Sequence, residues 1–82
     1  MLTTRGNIYD EFVEFITSAP SLEAVSQFRL SEEAEQRISD LLRREREEHL
    51  TALEAEELDE ALRIEHIMRM AKIRAIEKLD SL

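Results

Sequence analysis

Carboxylate and imidazole side chains lie close together at two places in the sequence, where they could ligate a metal ion or transfer protons. Glu45, Glu48 and His49 form one group, and Glu65 and His66 form the other. Helical di-iron proteins place a glutamate three residues before a histidine, so that both side chains project from one face. In this chain an arginine occupies that place before each histidine. We therefore expect solvated histidines, with no metal site and no cofactor.

The sequence contains no motif for nucleophilic catalysis or for phosphate binding. It has no G-x-S-x-G pattern and no glycine-rich loop, and its single glycine, Gly6, precedes the first expected helix. Cysteine is absent, which excludes disulfides and thiolate metal ligands. We expect no catalytic residue and no enzymatic activity.

Composition predicts one small all-α domain that spans residues 1–82. The chain has a net charge of −8 and a hydrophobic fraction of 43%, which is enough for a packed core. One glycine and one proline argue against a sheet with many tight turns. No apolar run approaches the ~18 residues of a membrane span, and the first residues lack the apolar stretch of a signal peptide. We therefore expect a cytoplasmic protein that makes no membrane contact.

Two short helices are expected in residues 1–30. Asn7 can cap the first, over about residues 8–17, and Asp10 and Glu11 are expected in its first turn, where the helix dipole favours acids. Pro20 ends this helix, because the residue before a proline is excluded from the α region.

The second short helix and the start of the third also have clear capping residues. Ser21 can cap a helix over about residues 22–28. Ser31 can cap the third helix, which runs from residue 32 to about residue 48 and carries glutamates in its first turn.

The boundary between the third and fourth helices is predicted by one capping motif. Thr51 and Glu54 have the spacing of a capping box, so a fourth helix is expected over residues 52–79 after a break near His49. One unbroken helix over residues 32–79 is the alternative. With the break, residues 31–80 form a long antiparallel helical hairpin that follows the two short helices.

The fourth helix is longer than the third, and its surplus predicts a dimeric helical bundle. At 1.5 Å per residue the two helices measure roughly 42 Å and 25 Å, so residues 68–79 project beyond the hairpin partner. Apolar residues occupy more than one side of the helix, because Leu62, Met70 and Ile73 lie off the main stripe. The aromatic N-terminal segment or a second chain must cover this surplus, and we expect a homodimer. Its interface is expected to contain Ile64, Ile67, Met68, Ala71, Ile73, Ala75 and Ile76.

Charge is distributed unevenly along the two long helices. Residues 32–60 contain twelve acidic and four basic residues, whereas residues 61–82 contain three acidic and five basic ones. The acidic segment is either a solvated face, with pairs such as Asp40–Arg44 and Glu65–Arg69, or a surface for a basic partner. The basic residues are interleaved with apolar ones, so nucleic-acid binding is disfavoured.

Four segments carry a resemblance to a known group of proteins. They are Phe28-Arg29-Leu30-Ser31, Ala34 with Arg37-Ile38-Ser39-Asp40-Leu41-Leu42, Leu50-Thr51 with Glu56-Glu57-Leu58-Asp59-Glu60, and Glu65-His66-Ile67-Met68-Arg69. Through them, residues 12–76 resemble a family of small, functionally uncharacterised helical proteins of bacteria, common in cyanobacteria. A Gly usually precedes the Leu-Thr of the family and a Pro often follows it, whereas this chain has His49 and Ala52 there. Such proteins are encoded beside small nuclease-type or toxin-like proteins, so the resemblance implies an antitoxin-like role and no catalytic residue.

The sequence as a whole indicates a non-enzymatic protein–protein interaction module. On this interpretation it neutralises a basic nuclease or toxin partner in the manner of an antitoxin. A structural homo-oligomeric helical scaffold is the alternative, and a DNA-contacting regulator is the second alternative.

Overall fold

The computed structural model describes residues 6–47 and 49–82, and in this part of the chain it contains four α-helices and no β-strand. The prediction of an all-α fold is confirmed. The helices are α1 (Gly6–Thr17), α2 (Leu22–Gln27), α3 (Glu32–Glu47) and α4 (Ala52–Asp80).

The first helix begins earlier than its sequence predicts. Because α1 starts at Gly6, Asp10 and Glu11 lie in its second turn, and the expectation that they occupy the first turn is wrong. The expected cap, Asn7, falls inside α1, and its side chain lies outside the described residues.

A sharp turn joins α1 to α2. The Thr17 hydroxyl donates to the carbonyl oxygen of Val13 at 2.8 Å. It thereby competes with backbone amides for a carbonyl acceptor in the last turn of the helix. Ala19 then adopts a left-handed conformation with φ of 57°, and Pro20 follows it. The chain thereby reverses without glycine, and Ala19 takes a backbone conformation that is strained for a residue with a Cβ atom.

The second helix is short and is capped at both ends. Its first turn is closed by Ser21, whose hydroxyl oxygen accepts a hydrogen bond from the Ala24 amide at 3.0 Å. The helix ends at Gln27, one residue earlier than expected, because Phe28 adopts an extended conformation. The Phe28 ring lies 4.3 Å from the ring of Phe15, measured between centroids, so the end of α2 packs against α1.

A capping box separates α3 from α4. The Glu54 amide donates to Thr51 Oγ1 at 3.1 Å, and the Thr51 amide donates to Glu54 Oε1 at 3.0 Å. Each side chain therefore satisfies a backbone donor at the start of α4. The structure has two helices here, ending at Glu47 and beginning at Ala52, instead of the single helix that was the alternative.

The fourth helix lies at the centre of the packing, because it contacts the three other helices and contacts α2 most extensively. The radius of gyration, 14.5 Å, exceeds the roughly 12 Å of a compact domain of this length. This extended shape leaves much of α4 accessible to solvent. The buried core consists of Ile8 from α1, Ala34, Ile38 and Leu41 from α3, and Leu58, Ala61, Ile64 and Met68 from α4.

The surplus length of α4 is covered on one side by the protein itself. Phe12, Phe15 and Phe28 pack against the core that contains Met68, and Ala75 is also buried. From the sequence, either the N-terminal segment or a second chain is expected to cover residues 68–79. The N-terminal segment therefore covers one side of them. The opposite side of α4 remains exposed.

Candidate interaction surfaces

The seven residues predicted to form a dimer interface do not share one environment. Ile64, Met68 and Ala75 are buried inside the protomer, and Ile64 and Met68 belong to the core that α4 shares with α1 and α3. A partner could reach these three only if the protomer core opened. Ala71 is half-buried, and the other three, Ile67, Ile73 and Ile76, are exposed by 48%, 45% and 49%.

Five large apolar side chains in residues 62–76 of α4 are exposed, and we name them together the outer α4 stripe: Leu62, Ile67, Met70, Ile73 and Ile76. They spread over about half of the helix circumference, with the exposed side chains of His66 and Glu77 between them. Each of these side chains is 40–49% exposed. At about 100° per residue, Leu62, Met70 and Ile73 lie opposite the buried side of the helix, and Ile67 and Ile76 lie on its two flanks. The helical period, which placed Leu62 and Met70 away from the main stripe, was the signal that could have added them to the predicted interface.

Three arginines of α3 are engaged by carboxylates of the same protein. The hydrogen bond that Arg37 donates to Glu57 raises the pKa of Arg37. The hydrogen bond that Arg43 donates to Asp40 raises the pKa of Arg43 in the same way. The hydrogen bonds that Glu54 accepts from Arg44 and from the Thr51 amide lower the pKa of its carboxyl group. The pairs are Arg37 with Asp40 and Glu57, Arg43 with Asp40 and Glu47, and Arg44 with Asp40 and Glu54.

These ion pairs leave a surplus of exposed acids. Glu56, Asp59, Glu60 and Arg63 line a shallow depression of about 250 Å³ on α4, which we name the acidic depression. Asp59 pairs with Arg63 at 3.1 Å, but Glu56 and Glu60 have no ion pair within residues 6–47 and 49–82. On α3, Glu32, Glu33, Glu35 and Glu45 are exposed and likewise lack an ion pair among the described residues.

The basic residues of α4 do not form one continuous surface. Arg63 and Arg74 lie on one flank, and Arg69 and Lys72 lie on the other. Arg69 and Lys72 line a groove of about 290 Å³ beside Phe28, but the groove also contains acidic side chains, those of Glu35 and Glu65. The predicted Asp40–Arg44 pair is present at 3.7 Å, whereas no Glu65–Arg69 pair is found in the described part of the chain. This mixture of charges is unlike a surface for a phosphate backbone.

The side chains that suggested metal chemistry lie at the surface. His49, His66 and Glu45 are exposed, Glu65 is half-buried, and Glu48 lies outside the described residues. Over residues 6–47 and 49–82, no group of three or more histidine, aspartate or glutamate side chains is placed to hold a metal ion. Within the same residues, no helix has both the length and the apolarity needed to cross a membrane.

Comparisons of this chain with protein-family models, with curated proteins and with solved structures found no match. The resemblance to small bacterial helical proteins therefore stays a prediction from the sequence.

Proposed function

We propose that this protein is a non-enzymatic interaction module that binds and neutralises a basic protein, in the manner of an antitoxin. In this proposal α3 and α4 form an antiparallel hairpin, and the acidic depression with the exposed glutamates of α3 provides the binding surface. A nuclease or toxin with a basic, phosphate-binding cleft is the class of partner with matching chemistry.

One observation carries the proposal: three of the four arginines of α3 are paired with carboxylates inside the protein. Arg37, Arg43 and Arg44 each pair with carboxylates of their own chain, so they do not balance the exposed acids. A surface with such a surplus of one charge attracts an oppositely charged partner from a distance and accelerates association. The resemblance to proteins encoded beside nuclease-type and toxin-like proteins supports the same class of partner.

Affinity capture tests whether the acidic depression is the binding surface. The tagged protein is incubated with lysate of its source cell at low salt, and we expect one basic protein to be retained at a fixed stoichiometry. Glu56→Gln, Asp59→Asn and Glu60→Gln, combined in one variant, should release that protein, because they remove the carboxylates of the depression. Raising the salt concentration should weaken wild-type binding, since salt screens exposed charges.

A matched variant controls for the change in net charge. Glu14, Glu23 and Asp80 are exposed acids that lie outside the depression, and their conversion to Gln, Gln and Asn also removes three negative charges. This variant should retain the partner. Equal loss from both variants, or no basic partner at low salt, would contradict the proposal.

A structural homodimer is the second candidate function, and the outer α4 stripe favours it. Five large apolar side chains on one helix are 40–49% exposed, and a partner that covered them would remove apolar surface from water. Among the predicted interface residues, Ile67, Ile73 and Ile76 are available for this contact, and Ala71 lies beside them. Ile64, Met68 and Ala75 could take part in the dimer interface only if the protomer core rearranged.

The molecular mass in solution tests the homodimer. Light scattering should give twice the chain mass, and Ile67→Lys should lower it to one chain, because it places a charge in the apolar contact. The variant should retain its helical circular dichroism, since Ile67 is 48% exposed in the protomer. A dimer that is unaffected by Ile67→Lys would exclude this surface.

A further inference from the structure

We propose that the groove of about 290 Å³ beside Phe28, which we name the Phe28 groove, binds a short peptide with free termini and an apolar side chain. The groove is lined by α4, by residues 28–30 and by the first turn of α3. It shares no residue with the acidic depression, so this inference goes beyond the proposed function and does not depend on it.

Five charged side chains line the groove without neutralising one another. None of them forms an ion pair within residues 6–47 and 49–82, and they are Arg29, Arg69, Lys72, Glu35 and Glu65. Glu65 and Lys72 are half-buried, so their charges have lost part of their hydration without gaining a counter-charge. A ligand that carries both signs of charge supplies what these side chains lack.

The α4 wall of the groove is acidic at one end and basic at the other. Glu65 comes first along the helix, Arg69 follows one turn later, and Lys72 follows after nearly two turns. At 1.5 Å per residue, Glu65 and Lys72 are about 10 Å apart along the helix axis and lie on the same side of it.

The opposite wall has the same polarity. Two ion pairs between α3 and α4 show that later residues of α3 meet earlier residues of α4: Arg37 with Glu57, and Arg44 with Glu54. Glu35, inside α3, therefore lies toward the Glu65 end, and Arg29, which precedes α3, lies toward the Lys72 end. Both walls place carboxylates at one end of the groove and cations at the other.

The groove between these ends is apolar and sets the size of the ligand. Phe28, Leu30 and Met68 line it, and they also belong to or pack against the protein core. An extended chain spans at most about 3.3–3.6 Å per residue, so a tripeptide matches the separation of about 10 Å between the two ends. A free amino acid carries its ammonium and carboxylate groups on one carbon, so it cannot reach both ends.

These features fix the orientation of the bound peptide. Its carboxylate lies at the cations Arg69 and Lys72, and its ammonium group lies at Glu65. Its apolar side chain covers Phe28 and Met68, where burial removes apolar surface from water. The carboxylates at one end disfavour a ligand that carries only negative charge, and the cations at the other disfavour one that carries only positive charge.

Isothermal titration calorimetry with the tripeptide alanine–leucine–alanine tests the site. We expect one peptide to bind per chain in the millimolar range. Acetylation of the amino terminus and amidation of the carboxyl terminus should each raise the dissociation constant about fivefold, because each removes one ion pair at the surface. Glycine in place of the leucine should raise it about tenfold, since the apolar contact is lost.

Protein variants show which end of the peptide meets which residues. Arg69→Gln combined with Lys72→Gln should reduce the difference between the free and the amidated peptide, and should keep the difference between the free and the acetylated one. Glu65→Gln should do the opposite. A merely structural role of these residues would weaken all peptides alike.

A matched control variant removes two positive charges of α4 outside the groove. Arg63→Gln combined with Arg74→Gln changes side chains that are 74% and 70% exposed, and it should preserve both differences. Equal loss in this variant would show that net charge, and not the groove, selects the peptide.

The remaining outcomes separate this inference from the proposed function. Equal binding of the free, acetylated and amidated peptides to the wild type, or no binding in the millimolar range, would overturn the peptide site. An acetyl group that is sensed through Lys72 instead of Glu65 would overturn the orientation. Capture of a basic protein through the acidic depression would stand in each case, because Glu65→Gln leaves that depression intact.

Discussion

Arg37 of α3 and Glu57 of α4 form a two-pronged ion pair in which the carboxylate is almost completely buried. Arg37 Nε donates to Glu57 Oε2 at 2.8 Å, and a terminal nitrogen donates to Oε1 at 2.9 Å. Glu57 is only 6% exposed, whereas Arg37 is 39% exposed. The guanidinium group therefore reaches in from the surface and satisfies a carboxylate that has little access to water.

Replacing the arginine alone should lower the free energy of unfolding more than replacing both partners of the ion pair. We expect Arg37→Ala to lower the free energy of unfolding by about 2 kcal/mol, because it leaves the Glu57 carboxylate buried without a counter-charge. The combined Arg37→Met and Glu57→Met variant should recover most of this loss, since no charge then remains buried. Urea denaturation followed by circular dichroism measures both changes.

A comparison with an exposed ion pair makes this prediction specific. Arg63 and Asp59 lie 3.1 Å apart with both side chains mostly in solvent. Arg63→Met should therefore change the free energy of unfolding by less than about 0.5 kcal/mol. Similar losses from Arg37→Ala and Arg63→Met would show that the burial of Glu57 has no energetic consequence.

The start of α4 should depend on pH through Glu54. Its hydrogen bonds lower the pKa of the carboxyl group in the folded protein below the value of about 4.3 in an unfolded chain. The resulting stabilisation is complete above the unfolded pKa and is lost as the pH falls through the folded pKa. Between pH 7 and pH 3, the urea midpoint of the wild type should therefore fall further than that of Glu54→Gln.

An exposed glutamate in the next turn serves as the control for this measurement. Glu56→Gln should leave the pH dependence of the wild type unchanged, because Glu56 is exposed and has no ion pair among the described residues. If Glu54→Gln and the wild type lose stability equally, the capping box makes no pH-dependent contribution.

Local contacts could be predicted from the sequence, and contacts between helices could not. The capping box joins residues three apart, and such a contact requires only that the helix begins there. Arg37 and Glu57 are 20 residues apart, and their contact depends on how α3 and α4 lie against each other. The same holds for Glu11, which belongs to α1 but forms its hydrogen bonds with the residue that caps α3.

The predicted interface shows the same division between local and long-range information. The helical period identifies which apolar residues of α4 share a side, but it does not identify which side the N-terminal helices will cover. Ile67 and Met68 are neighbours in sequence, yet Met68 is buried in the protomer and Ile67 is exposed. That difference arises because the other three helices pack against the side of α4 that holds Met68, which the period of α4 alone does not encode.

A glycine at position 19 should stabilise the protein. Ala19 has φ of 57°, a conformation that costs an alanine roughly 1–2 kcal/mol and costs glycine much less. We expect Ala19→Gly to raise the free energy of unfolding by about 1 kcal/mol in urea denaturation, after part of the gain is offset by the greater freedom of the unfolded chain. Ala55→Gly, the same substitution at an exposed position in the first turn of α4, should lower it by about 0.5 kcal/mol. Equal effects at the two positions would show that Ala19 is not strained.

The carboxylate of Glu11 completes the cap of a helix to which it does not belong. Ser31 Oγ accepts from the Ala34 amide at 3.1 Å, as a capping serine does, but the third residue of α3 is an alanine and cannot return a hydrogen bond. Glu11 supplies it from α1, because its oxygens accept from the Ser31 amide at 2.9 Å and from the Ser31 hydroxyl at 2.5 Å. The contact between Glu11 and Ser31 should therefore stabilise α1 and α3 together.

A double-mutant cycle measures this coupling. Glu11→Ala should lower the free energy of unfolding by about 1–2 kcal/mol, because it removes two hydrogen bonds to a carboxylate, and Ser31→Ala should cost about 1 kcal/mol. The double variant should lose less than the sum of the two, since each single change already breaks the shared contact. Hydrogen exchange should also accelerate across α1 in Glu11→Ala, but not in the control Glu14→Ala, which alters an exposed side chain of the same helix. Strictly additive losses would mean that Glu11 and Ser31 act independently and that α1 is held in place by its apolar contacts alone.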